Sequence, residues 1–332
     1  MKIPYLIPSM PTAYDLLPYL RRIDESHRYS NDGPLVRELE QKLCELVGAP
    51  AGVCVASCTA GLTAAALYLG REQGVSACAP VNTFAGTWQA LERADYRIAP
   101  RESSGWFMAA PEKRFDLVVP VCTFGMPFDV SHFHETSAVL IDAAAAIYTQ
   151  RASEFLTVYS LHATKLLSSG EGGFIACRNA AEEVSLRAII NFGVESGGSR
   201  MRLFEYGFNG KMSEYHAAVG LASLRRHSLN QTTHFIHWHM YQRNLAALES
   251  TLPPAYGSGL NFPLRLPVSC DERNALDHFR AHGIEVRYGY APFVRPSPEE
   301  KRFLCLPCYP LMSAAQVDEV SDVALQFAGG AV

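Results

Sequence analysis

A chain of 332 residues, 48% hydrophobic and 19% charged, has ample apolar content for a core and the length for two domains, or one large domain with an annex. A formal charge of −4 gives no basic footprint, which argues against nucleic acid as a partner. No apolar run approaches the roughly 20 residues that span a bilayer, and the opening MKIPYLIPSMP is broken by prolines and lacks the apolar stretch of a secretory signal. A cytoplasmic protein without membrane segments is expected.

Near the amino end, DGPLVRELEQKLCELVG reads as Asp32 and Gly33 leading into a helix with Leu35, Leu39, Leu43 and Leu46 on one side. AGVCVA (51–56) is a short apolar strand running into SCTAGLTAAALYLG, a turn that opens an alanine-rich helix. ACAPV (77–81) is strand-like and TFAGTWQALERA helix-like. DLVVPVC (116–122) and AVLID (138–142) are further buried strands, with turn chemistry at FGMPFD between them. FLTVYS ends a strand at Ser160, and GFIAC (173–177) forms another beyond a loop that carries Lys165.

Strands alternating with helices over 51–180 indicate an α/β fold with a largely parallel sheet. In such sheets ligands gather at the carboxyl ends of the strands. Ser57–Thr59, Asp142 and Ser160 all fall at that end of their expected strands. SEYHAAVGLASLRR and SLNQTTHFIHWHMYQRNLAALES continue as helix, with a weak point between Ser228 and Gln231. PLRLPV (263–268), NALDHFRAHGIEV and QVDEVSDVALQF then suggest a smaller α/β domain. The expected division is a large domain over 1–234 and a small C-terminal domain over 235–332.

Nine cysteines, an odd number, sit in apolar segments (Cys54, Cys78, Cys122 and Cys177 among them) and read as small core residues of a reduced protein. CLPC (305–308) has the spacing of half a zinc site or a redox pair, but no second CxxC accompanies it. His234, His237 and His239 fall on a helix with no acidic partner close by, so they read as ordinary helix-face residues and no metal is expected.

Lys165 lies between a serine-ended strand and a glycine-rich turn, where a lysine either pairs with an anion or does amine chemistry. An amine condenses with an aldehyde, and pyridoxal phosphate is the common cofactor built on that reaction. Such a site also needs an acid for the pyridine nitrogen, donors for a phosphate, and a flat apolar surface for the ring. Asp142, ending VLID before AAAA, suits either that acid or a helix N-cap. SCTAG can offer backbone N–H groups and the Thr59 hydroxyl to a phosphate, or simply cap its helix. Phe84 can lie over the ring or in the core, and Ser160 can add a phosphate donor or merely end its strand.

Together, NDGPLVRELEQKL, SCTAGLTAAAL, VNTFAGTWQAL, VLIDAAAA, YSLHATKLLSSGEGG, FNGKMSEYHAAVGLASL and LCLPCYPLMS resemble the DegT/DnrJ/EryC1/StrS group of pyridoxal-phosphate-dependent nucleotide-sugar aminotransferases. The lysine segment and FNGKMSE are the specific parts. The resemblance implies the fold-type-I, aspartate-aminotransferase-like architecture of a large domain plus a smaller C-terminal α/β domain. It implies that Lys165 bonds to the cofactor aldehyde and shuttles the proton, and that Asp142 pairs with the pyridine nitrogen. Cys58 and Thr59 would hold the phosphate with Ser160 assisting, and Phe84 would cover the ring. Asn209 would reach the phosphate from a neighbouring subunit, which implies a homodimer with shared sites. Where the family usually carries Gln or His against the phenolic oxygen, three residues past the acid, this chain has Ala145. The activity implied is transfer of an amino group, with glutamate as donor, to a nucleotide-linked keto-deoxy sugar in deoxyamino-sugar biosynthesis. A sugar dehydratase on the same scaffold and a non-catalytic regulatory homologue are the alternatives.

Overall fold

The computed structural model describes residues 2–70, 75–109, 111, 114–130, 138–152, 154–195, 202–266, 272–289 and 302–330. The chain begins with helix α1 (Ala13–Ser26), whose N-cap Thr12 and Asp15 form a reciprocal capping box. Helix α2 (Pro34–Val47) starts with proline in its first turn and ends at Gly48 in the left-handed conformation. Its buried face is Leu35, Val36, Leu39, Leu43 and Val47. Leu46, expected on that face, is only partly buried because the stripe follows the helical period to Val47 instead. The first turn of α2 is capped from afar: the fully buried Glu214 carboxylate accepts from the N–H groups of Leu35 at 2.8 Å and Val36 at 2.9 Å.

Next come strand β1 (Ala51–Val55), helix α3 (Cys58–Leu69), strand β2 (Ser76–Pro80), helix α4 (Ala85–Arg93) and strand β3 (Arg97–Arg101). A small hairpin of β4 (Ser103–Ser104) and β5 (Phe107–Met108) precedes β6 (Leu117–Val118), β7 (Ala138–Asp142), β8 (Leu156–Ser160) and β9 (Gly173–Cys177). The expected strand 116–122 is shortened to β6 because Pro120 has no N–H for a ladder, although Val121 still bridges to Asp142.

These strands form one seven-stranded sheet in the order β1-β9-β8-β7-β6-β2-β3. Every pairing is parallel except those of β9, which runs antiparallel to both β1 and β8. The carboxyl ends of β1, β8, β7, β6 and β2 therefore share one edge, and the amino end of β9 meets them there. Val53, Val158, Ile175 and Leu140 on the strands, packed with Leu62 and Ala64–Ala66 of α3, make one face of the core. Cys54, Tyr159, Phe174 and Ile141 make the other with α2 and helix α6 (Glu214–Leu224).

Helix α5 (Ala180–Ile189) precedes α6, and α7 (His227–Asn244) follows it after a break at Arg225–Arg226, slightly before the expected weak point. A second sheet, β10-β12-β11, is built from β10 (Asn261–Leu266), β11 (Arg287–Gly289) and β12 (Arg302–Pro307), all paired antiparallel. Helices α8 (Glu272–Ala281) and α9 (Ala314–Gly330) pack with it around a separate core containing Trp238, Tyr241, Phe262, Phe279 and Leu304. We propose that the smaller unit, from about residue 235, is organised on this core. Cys308 is buried in that core and Cys305 in a smaller cluster with Phe124, Met126 and Phe303, both as free thiols, with the Cys305 thiol pushed up to about 12 by burial. No helix among the described residues is long and apolar enough to cross a membrane.

Candidate active site

The shared strand edge opens into a cavity of about 410 Å³ lined by Cys58, Thr59, Phe84, Asp142, Ser160 and Lys165 among others. Six of the seven residues expected from sequence thus meet at one place. Each arrives by its own element. Ser57 caps α3, its hydroxyl accepting from Ala60 N–H at 3.1 Å and its carbonyl from Gly61 N–H at 3.0 Å. The N–H groups of Cys58 and Thr59 precede those bonds, so the first turn keeps donors for an anion, reinforced by the helix dipole. Gly173 lets this turn approach the sheet: a Cβ there would stand 2.7 Å from the Cys58 nitrogen and 2.8 Å from the Ser57 carbonyl carbon.

Asp142 ends β7 and is almost wholly buried. Its Oδ2 accepts from Thr87 Oγ1 at 2.7 Å, and its Oδ1 from the N–H of Ala144 at 3.0 Å. Burial raises its carboxyl above the ordinary range, opposed by the Thr87 and Ala144 bonds and by Lys165. Lys165 is half-buried on the loop 161–172, which returns from β8 to β9 through Leu161 N–H to Gly172 O at 2.9 Å and Ala163 N–H to Gly170 O at 2.8 Å. Burial lowers its ammonium, while Cys58 and Asp142 act the other way. Acid and amine are therefore pushed toward each other, the condition for a lysine that takes and returns protons.

The cavity fits the group that the sequence resemblance implies. It holds a buried carboxylate, an amine of lowered basicity, and free helix-start donors. Phe84, 69% exposed at the start of α4, offers a ring at the mouth. Asn209 does not line it. That residue is exposed and lies in a neighbouring groove with Ala56, Ser57 and Tyr206, joined to the cavity wall through Ser57.

The cavity also contains residues that the sequence reading missed. Thr83 and Thr87 stand behind Asp142, and their spacing of four on one helix start was the available signal. His162 and Glu171 face each other across the lysine loop, Nε2 to Oε1 at 3.4 Å. Thr164 N–H donates to His162 Nδ1 at 3.2 Å, which leaves the Nε2 proton for Glu171. Ala145 lines the cavity as well, and its carbonyl accepts from Ser258 Oγ at 2.8 Å.

The histidines of α7 are elsewhere, His239 exposed and the other two on the inner face. His234 and His237 are buried because that face of α7 packs on the second core. The His234 ring nitrogens meet the Tyr256 hydroxyl and the Gly259 carbonyl, both at 2.9 Å.

A model of the DegT/DnrJ/EryC1/StrS aminotransferase family matches residues 13–324. This chain is a member of that family. A dTDP-4-amino-4,6-dideoxy-D-glucose transaminase of Shigella dysenteriae is 28% identical over 237 residues, covering 65% of this chain and 63% of that enzyme. The chain thus spans less than two thirds of that relative's length. Among solved structures, the Helicobacter pylori aminotransferase PseC, involved in pseudoaminic acid biosynthesis, superposes with a TM-score of 0.87 at 16% identity, covering 99% of this chain and 100% of that one. NtdA of Bacillus subtilis, solved with bound cofactor PMP, superposes with a TM-score of 0.83 at 20% identity over 95% of this chain and 81% of that one. The mostly parallel central sheet is the fold these family structures share.

Proposed function

We propose that this member of the family is a pyridoxal-phosphate-dependent aminotransferase that moves an amino group from an amino acid, L-glutamate as the expected donor, to a keto-deoxy sugar carried on a nucleotide. The observation that carries this reading is the meeting of Lys165, Asp142 and the α3 start in one cavity of a chain belonging to this family. The relative's name, a dTDP-sugar transaminase, supports the substrate class.

In this reading the cofactor supplies an electron sink that lets an amino acid exchange its nitrogen for a carbonyl oxygen. The chain supplies the rest. The N–H groups of Cys58 and Thr59, the Thr59 hydroxyl and Ser160 hold the phosphate. Asp142 would face the pyridine nitrogen and favour its protonated form, and Phe84 would cover the ring. Lys165 would anchor the cofactor through its amine and would serve as the base and acid that takes and returns the proton. Its lowered basicity suits both directions of that transfer. Asn209, exposed and outside its own cavity, is assigned to the phosphate of a second copy, so the working unit is a homodimer with shared sites. Eight free thiols among the described residues fit a reducing, cytoplasmic setting.

The test is an absorbance titration of the cofactor-loaded protein with glutamate, then with a panel of nucleotide-linked keto-sugars. Conversion to the amine form by glutamate, and its return on adding one sugar with stoichiometric donor consumption, is the expected result. Lys165→Ala should abolish both spectral changes. Sugar conversion without donor consumption would replace transamination by dehydration, and a spectrum unmoved by any donor would mark a binding homologue.

A further inference from the structure

Asp142 is not held by its own strand alone. Thr83 and Thr87, one helical turn apart at the start of α4, form a buried hydroxyl chain that ends on it: Thr83 Oγ1 to Thr87 Oγ1 is 2.9 Å, and Thr87 Oγ1 to Asp142 Oδ2 is 2.7 Å. Both threonines are 2% exposed and both line the cavity. A hydroxyl has one proton to give. The Thr87 proton goes to the carboxylate, so Thr83 must be the donor to Thr87, and each bond polarises the next. At 2.7 Å the bond has the ordinary length for a hydroxyl donor, and donation from Thr87 favours the ionised carboxylate against the effect of burial.

We propose that Thr87, backed by Thr83, is the positioning residue that fixes the Asp142 carboxylate in its ionised form and aims it at the ring nitrogen of the cofactor. The geometry divides the work. Ala144 N–H holds Oδ1 from the β7 side, and Thr87 holds Oδ2 from α4, so rotation about the side chain would break one bond or the other. With Ala145 offering only a methyl three residues along, orientation of the cofactor depends the more on this acid. The inference rests on the assignment of Asp142 to the ring nitrogen.

The experiment compares the affinity of the protein for pyridoxal phosphate with that for the deaza analogue, in which a C–H replaces the ring nitrogen. The parent protein should prefer pyridoxal phosphate. Thr87→Val should weaken binding of pyridoxal phosphate by about tenfold or more, the size expected for a lost hydrogen bond to a charged group, and leave binding of the analogue unchanged. Thr87→Ser should restore the preference, and Thr83→Val should reduce it less than Thr87→Val does. Equal weakening toward both ligands would make Thr87 merely structural and overturn the proposal, as would a Thr87→Val protein that keeps the parent's preference. A parent protein that binds both ligands alike would instead remove the Asp142 assignment on which the proposal stands. Should Thr87→Val fail to fold, the Thr83→Val and Thr87→Ser pair carries the comparison, and an unchanged preference in Thr83→Val would then count against the chain.

Discussion

Replacing Arg187 by methionine removes the centre of a buried ionic cluster that holds the cofactor edge from behind. Its guanidinium, 4% exposed as a residue, meets Asp32 at 3.1 Å, Glu40 at 3.1 and 3.0 Å, and Glu183 at 2.7 Å. Glu40 in turn accepts from the N–H of Cys54 in β1 at 2.9 Å, so α2, α5 and the strand leading to Ser57 share one set of charges. Without the arginine, Glu40 stays buried beside carboxylates with only the more exposed Arg37, 3.5 Å away, to offset them. Breaking a buried pair by removing one partner costs about 3–5 kcal/mol. The loss should depend on pH in a definite direction. Burial already raises the Glu40 carboxyl against the pull of Arg187, and removing that pull raises it further. A carboxyl raised above its unfolded value of 4.5 gives stability that is present at low pH and lost as pH climbs from there through the folded value. Urea unfolding of Arg187→Met should therefore show a deficit at pH 7.5 that shrinks on acidification, by at most about 1.4 kcal/mol per pH unit. Arg187→Met combined with Glu40→Met should be more stable than the single variant at pH 7.5. A single variant within about 1 kcal/mol of the parent, or one whose deficit grows on acidification, would refute this account of the cluster.

Two further outcomes follow from the same physics. His234, fully buried and lowered to about 4 from 6.5 by burial, takes up its proton more readily unfolded than folded, so its penalty is absent above pH 6.5, grows as pH falls and is complete below about 4. The gap of roughly 2.5 pH units is worth about 3 kcal/mol, and a His234→Gln variant should lack that part of the acid slope in urea midpoints measured between pH 7.5 and pH 4.5. Gly173→Ala forces a methyl against the Ser57–Cys58 backbone, so it should weaken pyridoxal phosphate binding at least tenfold in a fluorescence titration and lower the melting temperature; binding equal to that of the parent would show that the α3 start yields freely.

The edge that gathers the site was legible because each strand ends in chemistry that a strand interior does not need. Ser160 and Asp142 close apolar runs, SCTAG opens a helix, and Lys165 lies between a serine-ended strand and a glycine-rich turn. The direction of β9 was not legible, since a short apolar run has the same pattern in either orientation. Helix α1 carries its start signal in Thr12 and Asp15, but Pro18 inside it is a local breaker that weakens the helical pattern. Thr87 left only its spacing of four from Thr83, which is unremarkable until a carboxylate from a strand 55 residues away is placed against it. Glu214 capping Leu35 and Val36 is of the same kind, a contact across 179 and 178 residues that local pattern cannot hold. The burial of His234 and His237 was not legible because periodicity says which residues share a face but not which neighbour covers it.

The reversal of β9 explains why a lysine from a loop can share a cavity with residues from strand ends. A parallel successor to β8 would have needed a crossover that carries the chain to the far edge of the sheet and back. The antiparallel return lets the loop 161–172 fold over the edge it has just left, closed by Leu161, Ser169 and Gly172 through backbone bonds. It delivers Gly173 opposite both Val55 and Ser160, beside the α3 start. Lys165 is thus fixed between two flanking strands while the acid it faces comes from β7, the next strand over. Behind that acid, Gly125 adopts φ +76 where a side chain would strike the Ala145 carbonyl, and Ser258 and Gly259 of the second unit donate to Gly125 and Phe124 at 3.1 Å each. His234 closes this wall by bonding the Gly259 carbonyl. Leu166, the residue after Lys165, is itself buried in the second core, so both the lysine loop and the wall beyond the acid rest partly on that core. A perturbation of that core, such as charging His234, therefore has two routes to the site, one through the Phe124–Gly125 turn and Ala145 and one through Leu166 beside Lys165.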